Sequence, residues 1–173
     1  MTALILAIDC GNSRLKWGLH GSAGWRAQGK LDYAGLQGFA EQLRAQPRAD
    51  RVVAVNVAGP LVGEAVAAAV AALGIPQHWV KSQSAQYGVR NLYDHPEQLG
   101  ADRWAALIGA RTLHDGACLV VCAGTATTVD ILDAEGSFQG GLILPGVELM
   151  CRVLAANTAQ LPLAAGKFAR LPR

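Results

Sequence analysis

Twice in 173 residues, a short apolar run stops at a glycine-containing turn and resumes as a second strand-like segment. The first of these devices runs from Leu4 to Gly18, the second from Ala117 to Leu132. Each opening run is brief and rich in branched aliphatic residues, the mark of a core strand. In the first, the run delivers a carboxylate, Asp9, to its own end, and the Gly11-Asn12 pair that follows tolerates the positive φ of a tight turn. Such a turn presents backbone N–H groups to an anion. One interpretation is a nucleotide-phosphate loop, with Asp9 on Mg²⁺ and Asn12, Ser13 and Lys16 on phosphate oxygens. An ordinary hairpin with a surface lysine carries the same local signature. In the second device, Gly124, Thr125, Thr127 and Thr128 concentrate amides and hydroxyls suited to phosphate oxygens. A hydroxyl-rich hairpin is the alternative there, since threonine is at home in strands. The repetition suggests two related halves gripping one nucleotide.

Composition narrows the partners. With 51% hydrophobic and 16% charged residues, the chain forms a core and fits one ordinary domain or two small ones. A net charge of +2, with 15 Lys and Arg residues scattered along the chain, points to no nucleic-acid partner. The N-terminus has no basic region before its apolar run and no small-residue cleavage site, so a signal peptide is not expected. The alanine-rich stretch from Glu64 to Leu73 is too short to span a bilayer. No membrane partner and a cytoplasmic location are therefore expected. Cys10, Cys118, Cys122 and Cys151 show no C-x-x-C pairing, and three of them adjoin apolar runs, so buried reduced thiols are expected rather than disulfides or zinc ligands.

Between the two devices, Trp25 to Lys30 reads as a strand and Tyr33 to Gln46 as a helix with Leu36, Phe39, Ala40 and Leu43 on one face. Arg51 to Val57 is a near-continuous apolar strand of the kind buried on both faces. Leu61 to Leu73 is a helix closed by Gly74 and Pro76, and His78 to Val80 a short strand. This alternation predicts a mixed α/β layer architecture. Ser82 to Asp102 is polar and punctuated by Gly88, Asn91, Pro96 and Gly100, so a long functional loop is expected. The apolar helix that follows runs to about Leu113 and carries Asp102 and Arg103 in its first turn. Asp102 is either an acid favoured by the helix dipole or a general base, with Arg103 beside it to bind an anionic group. The glycines of Gly140 to Gly146 permit close approach of a flat ligand such as adenine, or of another chain. Val147 to Ala156 is a further helix, followed by a Pro-, Gly- and Ala-rich tail.

Five motifs occur in series: D-x-G-N-[ST]-x-x-K-W at Asp9 to Trp17, Y-x-x-P-x-x-L-G-x-D-R at Tyr93 to Arg103, G-T-A-T-T at Gly124 to Thr128, G-G-x-I-x-P-G at Gly140 to Gly146, and T-A-x-L-P at Thr158 to Pro162. Together they cover nearly the whole chain, which resembles type III pantothenate kinase, also described as the Bvg accessory factor family. The resemblance implies the α/β fold of the acetate and sugar kinase, heat-shock chaperone and actin superfamily, with two ribonuclease H-like halves. Residues 1–107 would form the first half, with the first phosphate loop, and 108–173 the start of the second. It implies ATP-dependent phosphorylation of pantothenate to 4'-phosphopantothenate, the first step towards coenzyme A, with ATP and Mg²⁺ and as a homodimer. Asp9, Cys10, Gly11, Asn12, Ser13, Arg14, Leu15 and Lys16 match the family's first ATP-phosphate loop, with Asp9 as metal ligand, and Gly124 and Thr125 match the second. Tyr93, Gly100, Ala101, Asp102 and Arg103 match pantothenate contacts, with Asp102 as proton acceptor. The alternatives are a non-catalytic accessory factor with a vestigial ATP site, or another small-molecule kinase of the superfamily. The joint presence of Asp9, Lys16, Asp102 and Arg103 favours the enzyme.

The chain departs from that pattern in two places. Many members carry Asp where this chain has Cys122, and that acid is linked to a bound monovalent cation. A thiol is a poor ligand for a hard cation, so K⁺ or NH₄⁺ dependence is expected to be weaker here. The family also continues past the last motif, so the second half is expected to be incomplete at Arg173, with Leu119, Val121, Val129 and Ile131 left uncovered.

Overall fold

The computed structural model describes residues 3–160 and 163, so Leu161 and Pro162 of the last motif lie outside the described residues. The first sheet is built from β1 (Ile5–Cys10), β2 (Leu15–Gly21), β3 (Gly24–Leu31), β4 (Arg51–Asn56) and β5 (Gln77–Trp79), in the order β3-β2-β1-β4-β5. Its first three strands form an antiparallel meander, while β4 and β5 run parallel to β1. Parallel pairing requires crossovers, and the helices α1 (Phe39–Arg44) and α2 (Pro60–Ala71) supply them.

Period-two alternation assigns the two faces of this sheet. Leu6, Ile8 and Cys10 of β1, with Leu15, Trp17 and Leu19 of β2, are buried against Phe39, Leu43, Val66 and Val70 of the helices. Each large apolar side chain buried in this way contributes roughly 1.5–3 kcal/mol. The opposite face, including Ala7 and Asp9 of β1 and Val53 and Val55 of β4, borders a cleft. The strand expected to be covered on both faces has α2 packed against it and is also contacted by the helix at residues 101–113, so that Val52, Ala54 and Val55 are all buried, while Val53 and Val55 also border the cleft. The helix expected over Tyr33 to Gln46 begins as a 3₁₀ turn, Tyr33–Gly38, and becomes α-helical only at Phe39. Glycines at positions 35 and 38 weaken its first half.

The second sheet has the order β6-β7-β10-β9-β8 and contains β6 (Ala85–Gln86), β7 (Val89–Asn91), β8 (Cys118–Ala123), β9 (Ala126–Leu132) and β10 (Ser137–Pro145). The segment from Ser82 to Asp102, expected as a long loop, folds as the β6–β7 hairpin and a 3₁₀ turn at Pro96–Gln98. Strands of two and three residues are too short to carry a periodic signal, and pairing of β7 with β10 stabilises them. Both short strands precede residue 107 and yet hydrogen-bond into the second sheet.

Helix α3 (Ala101–Leu113) buries Trp104 and Leu107 against Val89, Leu99, Leu132 and Phe138. It also packs on β4, so both sheets share it, and residue 107 lies in its middle. The outer face of the second sheet is bare: Leu119 is 64% exposed, Val121 59%, Ile131 47% and Leu142 62%. Helix α4 (Val147–Asn157) has no buried residue. No helix among the described residues is long and apolar enough to cross a membrane.

Candidate active site

The β1–β2 register pairs Asp9 with Lys16 and Cys10 with Leu15, leaving residues 11–14 as the turn. Directly paired residues share a face, so the Lys16 Nζ lies 3.4 Å from the Asp9 Oδ2 on the cleft side. Cys10 and Leu15 point the other way and are fully buried. Of the eight residues Asp9 to Lys16, these two reach a ligand only through their backbone, and the other six line the cleft. The Tyr33 hydroxyl donates to the Gly11 carbonyl and anchors the turn from below. Burial, then Cys10 and Asp9, pushes the Tyr33 hydroxyl up to about 12, so it stays a donor. Burial and Asp9 likewise push the Cys10 thiol up to about 12.

The second turn, between β8 and β9, comes to meet the first. The Ser13 and Thr125 hydroxyls hydrogen-bond at 2.7 Å. Gly124 donates its N–H to the Ala126 carbonyl at 3.0 Å, and Gly146 donates to the Thr125 carbonyl at 2.9 Å. A Cβ on Gly146 would stand 2.0 Å from the Gly124 carbonyl oxygen, so only glycine admits α4 this close to the turn. Cys122 lies beside this turn on the cleft, paired across strands with Thr128. Burial, with Asp130, Asp102 and Asp9 nearby, raises its pKa.

Helix α3 starts after Gly100, with Trp104 donating its N–H to the Gly100 carbonyl at 3.0 Å. The Asp102 Oδ1 accepts the Arg103 N–H at 2.8 Å, so this acid satisfies a first-turn amide and borders the cleft at once. Arg103 is buried, and its Nε lies 3.1 and 3.2 Å from the two oxygens of Asp130, which its Nη2 also contacts. Hydrogen bonding to Asp130 outweighs desolvation and holds the guanidinium firmly charged. The Phe138 ring lies 5.7 Å from the Arg103 guanidinium carbon, and the Tyr93 ring lies 5.2 Å from that of Phe138. Asp102 and Arg103 line the cleft, whereas Tyr93, Gly100 and Ala101 do not.

The space enclosed by the two turns, the start of α3 and α4 is a cleft of about 1100 Å³. It brings together Asp9, Gly11, Asn12, Ser13, Arg14, Lys16, Asp102, Arg103, Gly124 and Thr125. Sequence reasoning assigned no role to Asp130, Tyr33, Glu148 or Arg152, although the last two also line the cleft. Asp130 had a signal: it lies between Thr128 and Leu132 at the inward phase of β9, where an unpaired acid is costly.

A cleft between two α/β layers, lined by two hydroxyl- and amide-bearing turns and by an acid at a helix entrance, offers the donors that nucleotide phosphates need. The same fold occurs in a candidate 2-dehydro-3-deoxygalactonokinase of Sinorhizobium meliloti, with a TM-score of 0.50 at 17% identity over 89% of this chain and 58% of that one. A family model of type III pantothenate kinase matches residues 5–171, and the chain belongs to that family. The type III pantothenate kinase of Aromatoleum aromaticum is 53% identical over 170 residues, which are 98% of this chain and 70% of the relative. That of Azoarcus sp. is 51% identical over 98% of this chain and 65% of the relative. That of Dechloromonas aromatica is 46% identical over 98% and 71%.

Proposed function

We propose that the chain phosphorylates pantothenate with ATP and so opens the route to coenzyme A, with the cleft as the reaction site. One observation carries this: Asp9, Lys16, Ser13, Thr125 and Asp102 border one cleft, although they come from both sheets and from the helix between them. Phosphoryl transfer depends on position and charge neutralisation more than on covalent help. The two turns supply backbone N–H groups and the Ser13 and Thr125 hydroxyls to the phosphates, and Lys16 offsets their charge. Asp102 accepts the proton of the attacking primary hydroxyl, and Arg103 binds an anionic group of the acceptor.

Asp9 fits a magnesium ion. It is a half-exposed carboxylate at the phosphate turn, and Mg²⁺ takes one or two carboxylates and keeps water and phosphate oxygens as its other ligands. Bound there, Mg²⁺ supplies further charge neutralisation on the phosphates. Cys122 offers a thiol rather than an oxygen, so we assign no strong monovalent-cation site to it. A homodimer and a cytoplasmic location complete the proposal.

The test is a screen of acceptors with radiolabelled ATP and Mg²⁺. Transfer to pantothenate, with sugars and acetate unlabelled, is the expected result. Labelling of another acceptor in its place would replace the assigned substrate. ATP binding without transfer to any acceptor would favour the accessory-factor alternative.

A further inference from the structure

The pair formed by Arg103 and Asp130 is unusual for its position. Asp130 is fully buried and Arg103 nearly so, and a buried ion pair is retained at a desolvation cost that apolar residues of the same volume would avoid. The pair also constrains its surroundings. A Cβ on Gly141, the cross-strand partner of Asp130, would stand 2.1 Å from the Asp130 Oδ1 and 2.8 Å from the Arg103 Nη2, so the strand opposite is hollowed out to admit it. Asp130 lies on the strand that leaves the Gly124-Thr125 turn, and Arg103 directly follows Asp102 in the first turn of α3.

We propose that Asp130 is a positioning residue for phosphoryl transfer, acting through Arg103, with Gly141 as the space that permits it. The reasoning rests on the kinase reading of the cleft. Three facts support it. First, Asp130 engages the Nε and Nη2 edge of the guanidinium, which sets the plane of the group and leaves the Nη1 edge turned away from that carboxylate. Second, Phe138 lies under the same guanidinium, so the group is held on a face as well as on an edge. Third, β9 connects to the second phosphate turn and Arg103 to Asp102, so one ion pair ties the acid at the helix entrance to the turn that meets Ser13. A misplacement of about 1 Å in such a constellation costs on the order of 10²-fold in rate.

The experiment compares the full chain with Asp130→Asn, which keeps the size and removes the charge, and Asp130→Glu, which keeps the charge and moves it by one methylene. The readouts are ATP affinity by calorimetry, kcat/KM for pantothenate, and amide hydrogen exchange over residues 101–104. For Asp130→Asn we expect ATP affinity within about twofold of the parent, kcat/KM for pantothenate lowered on the order of 10²-fold, and faster exchange in the first turn of α3. Asp130→Glu should recover part of that loss. Should Asp130→Asn fail to fold, Asp130→Glu carries the test, with at least about a tenfold loss at unchanged ATP affinity. Equal losses for ATP and pantothenate would reduce the pair to a structural role and overturn the inference, as would parental acceptor kinetics in either variant. If the parent itself transfers nothing to pantothenate, the kinase reading fails. The exchange data then decide the positioning claim by themselves, and unchanged protection over residues 101–104 overturns it.

Discussion

The hydroxyls of Ser13 and Thr125 hydrogen-bond to one another at 2.7 Å across 112 residues of chain. Ser13 belongs to the turn after the core strand β1 and Thr125 to the turn after the edge strand β8, and both turns border one cleft. On the proposed function, a nucleotide bound there would meet donors from both sheets at once, and the Ser13–Thr125 bond would be exchanged for bonds to phosphate.

That arrangement makes the two hydroxyls interdependent. Ser13→Ala and Thr125→Ala should each weaken ATP binding, and the double variant should lose less than the sum, with a coupling of about 1 kcal/mol. Calorimetric titration of the four proteins with ATP and Mg²⁺ measures it. Strict additivity would show that the two turns act separately.

Asp102→Asn preserves the volume of the side chain and its contact with the Arg103 amide while removing the charge that accepts a proton. Turnover should fall by about 10²–10⁴-fold, with ATP affinity little changed. Turnover of pantothenate within a factor of a few of the parent would leave Asp102 as a helix-end acid only.

Of the four cysteines expected to be buried only Cys10 is, because the faces that carry Cys122 and Cys151 have no cover among the described residues; Cys122 is exposed on the cleft, where partial desolvation and the carboxylates of Asp130, Asp102 and Asp9 raise its pKa. A raised pKa means that the neutral thiol persists to higher pH than in a free cysteine. Alkylation by iodoacetamide at pH 8 should therefore be slower than for a free thiol and should rise only at more alkaline pH. Alkylation at the rate of a free thiol would contradict the direction of the shift. The same side chain bears on cation use: at constant ionic strength, exchanging sodium for potassium should change the rate less than in relatives with Asp at this position. A steep potassium requirement would mean that other oxygens build the site.

The outer face of the second sheet presents Leu119, Val121, Ile131 and Leu142 to solvent, and Leu144 at its end is 47% exposed. Contiguous apolar surface of this kind promotes association. Light scattering of the 173-residue chain should show self-association that falls when Leu119→Lys and Leu142→Glu are introduced together. A monodisperse monomer before the substitutions would show that the face is inert in solution.

Much of this molecule is legible in single stretches of chain. The run that ends at Asp9, the turn at Gly11-Asn12, its echo at Gly124-Thr125, and the helix entered at Asp102 are local features. Each follows from the spacing of apolar residues and the φ tolerance of a turn, so β1 to β5, β8 and β9 are legible in sequence alone, which also nominates the candidate phosphate contacts. The outward phase of Leu119, Val121, Val129 and Ile131 was legible for the same reason, since alternation in a strand is set by the backbone. What tertiary structure decided were relations with no sequence period. Arg103 and Asp130 are 27 residues apart, and neither one indicates the other. Only packing of α3 on the second sheet desolvates both and makes each the other's obligatory partner. The β6–β7 hairpin is another such case: two- and three-residue strands have no stability of their own, and the edge of β10 is what makes them strands. The inward turn of Cys10 and Leu15 within the candidate phosphate loop has a similar origin, because the hairpin register, and not the motif, decides which of its residues face the cleft.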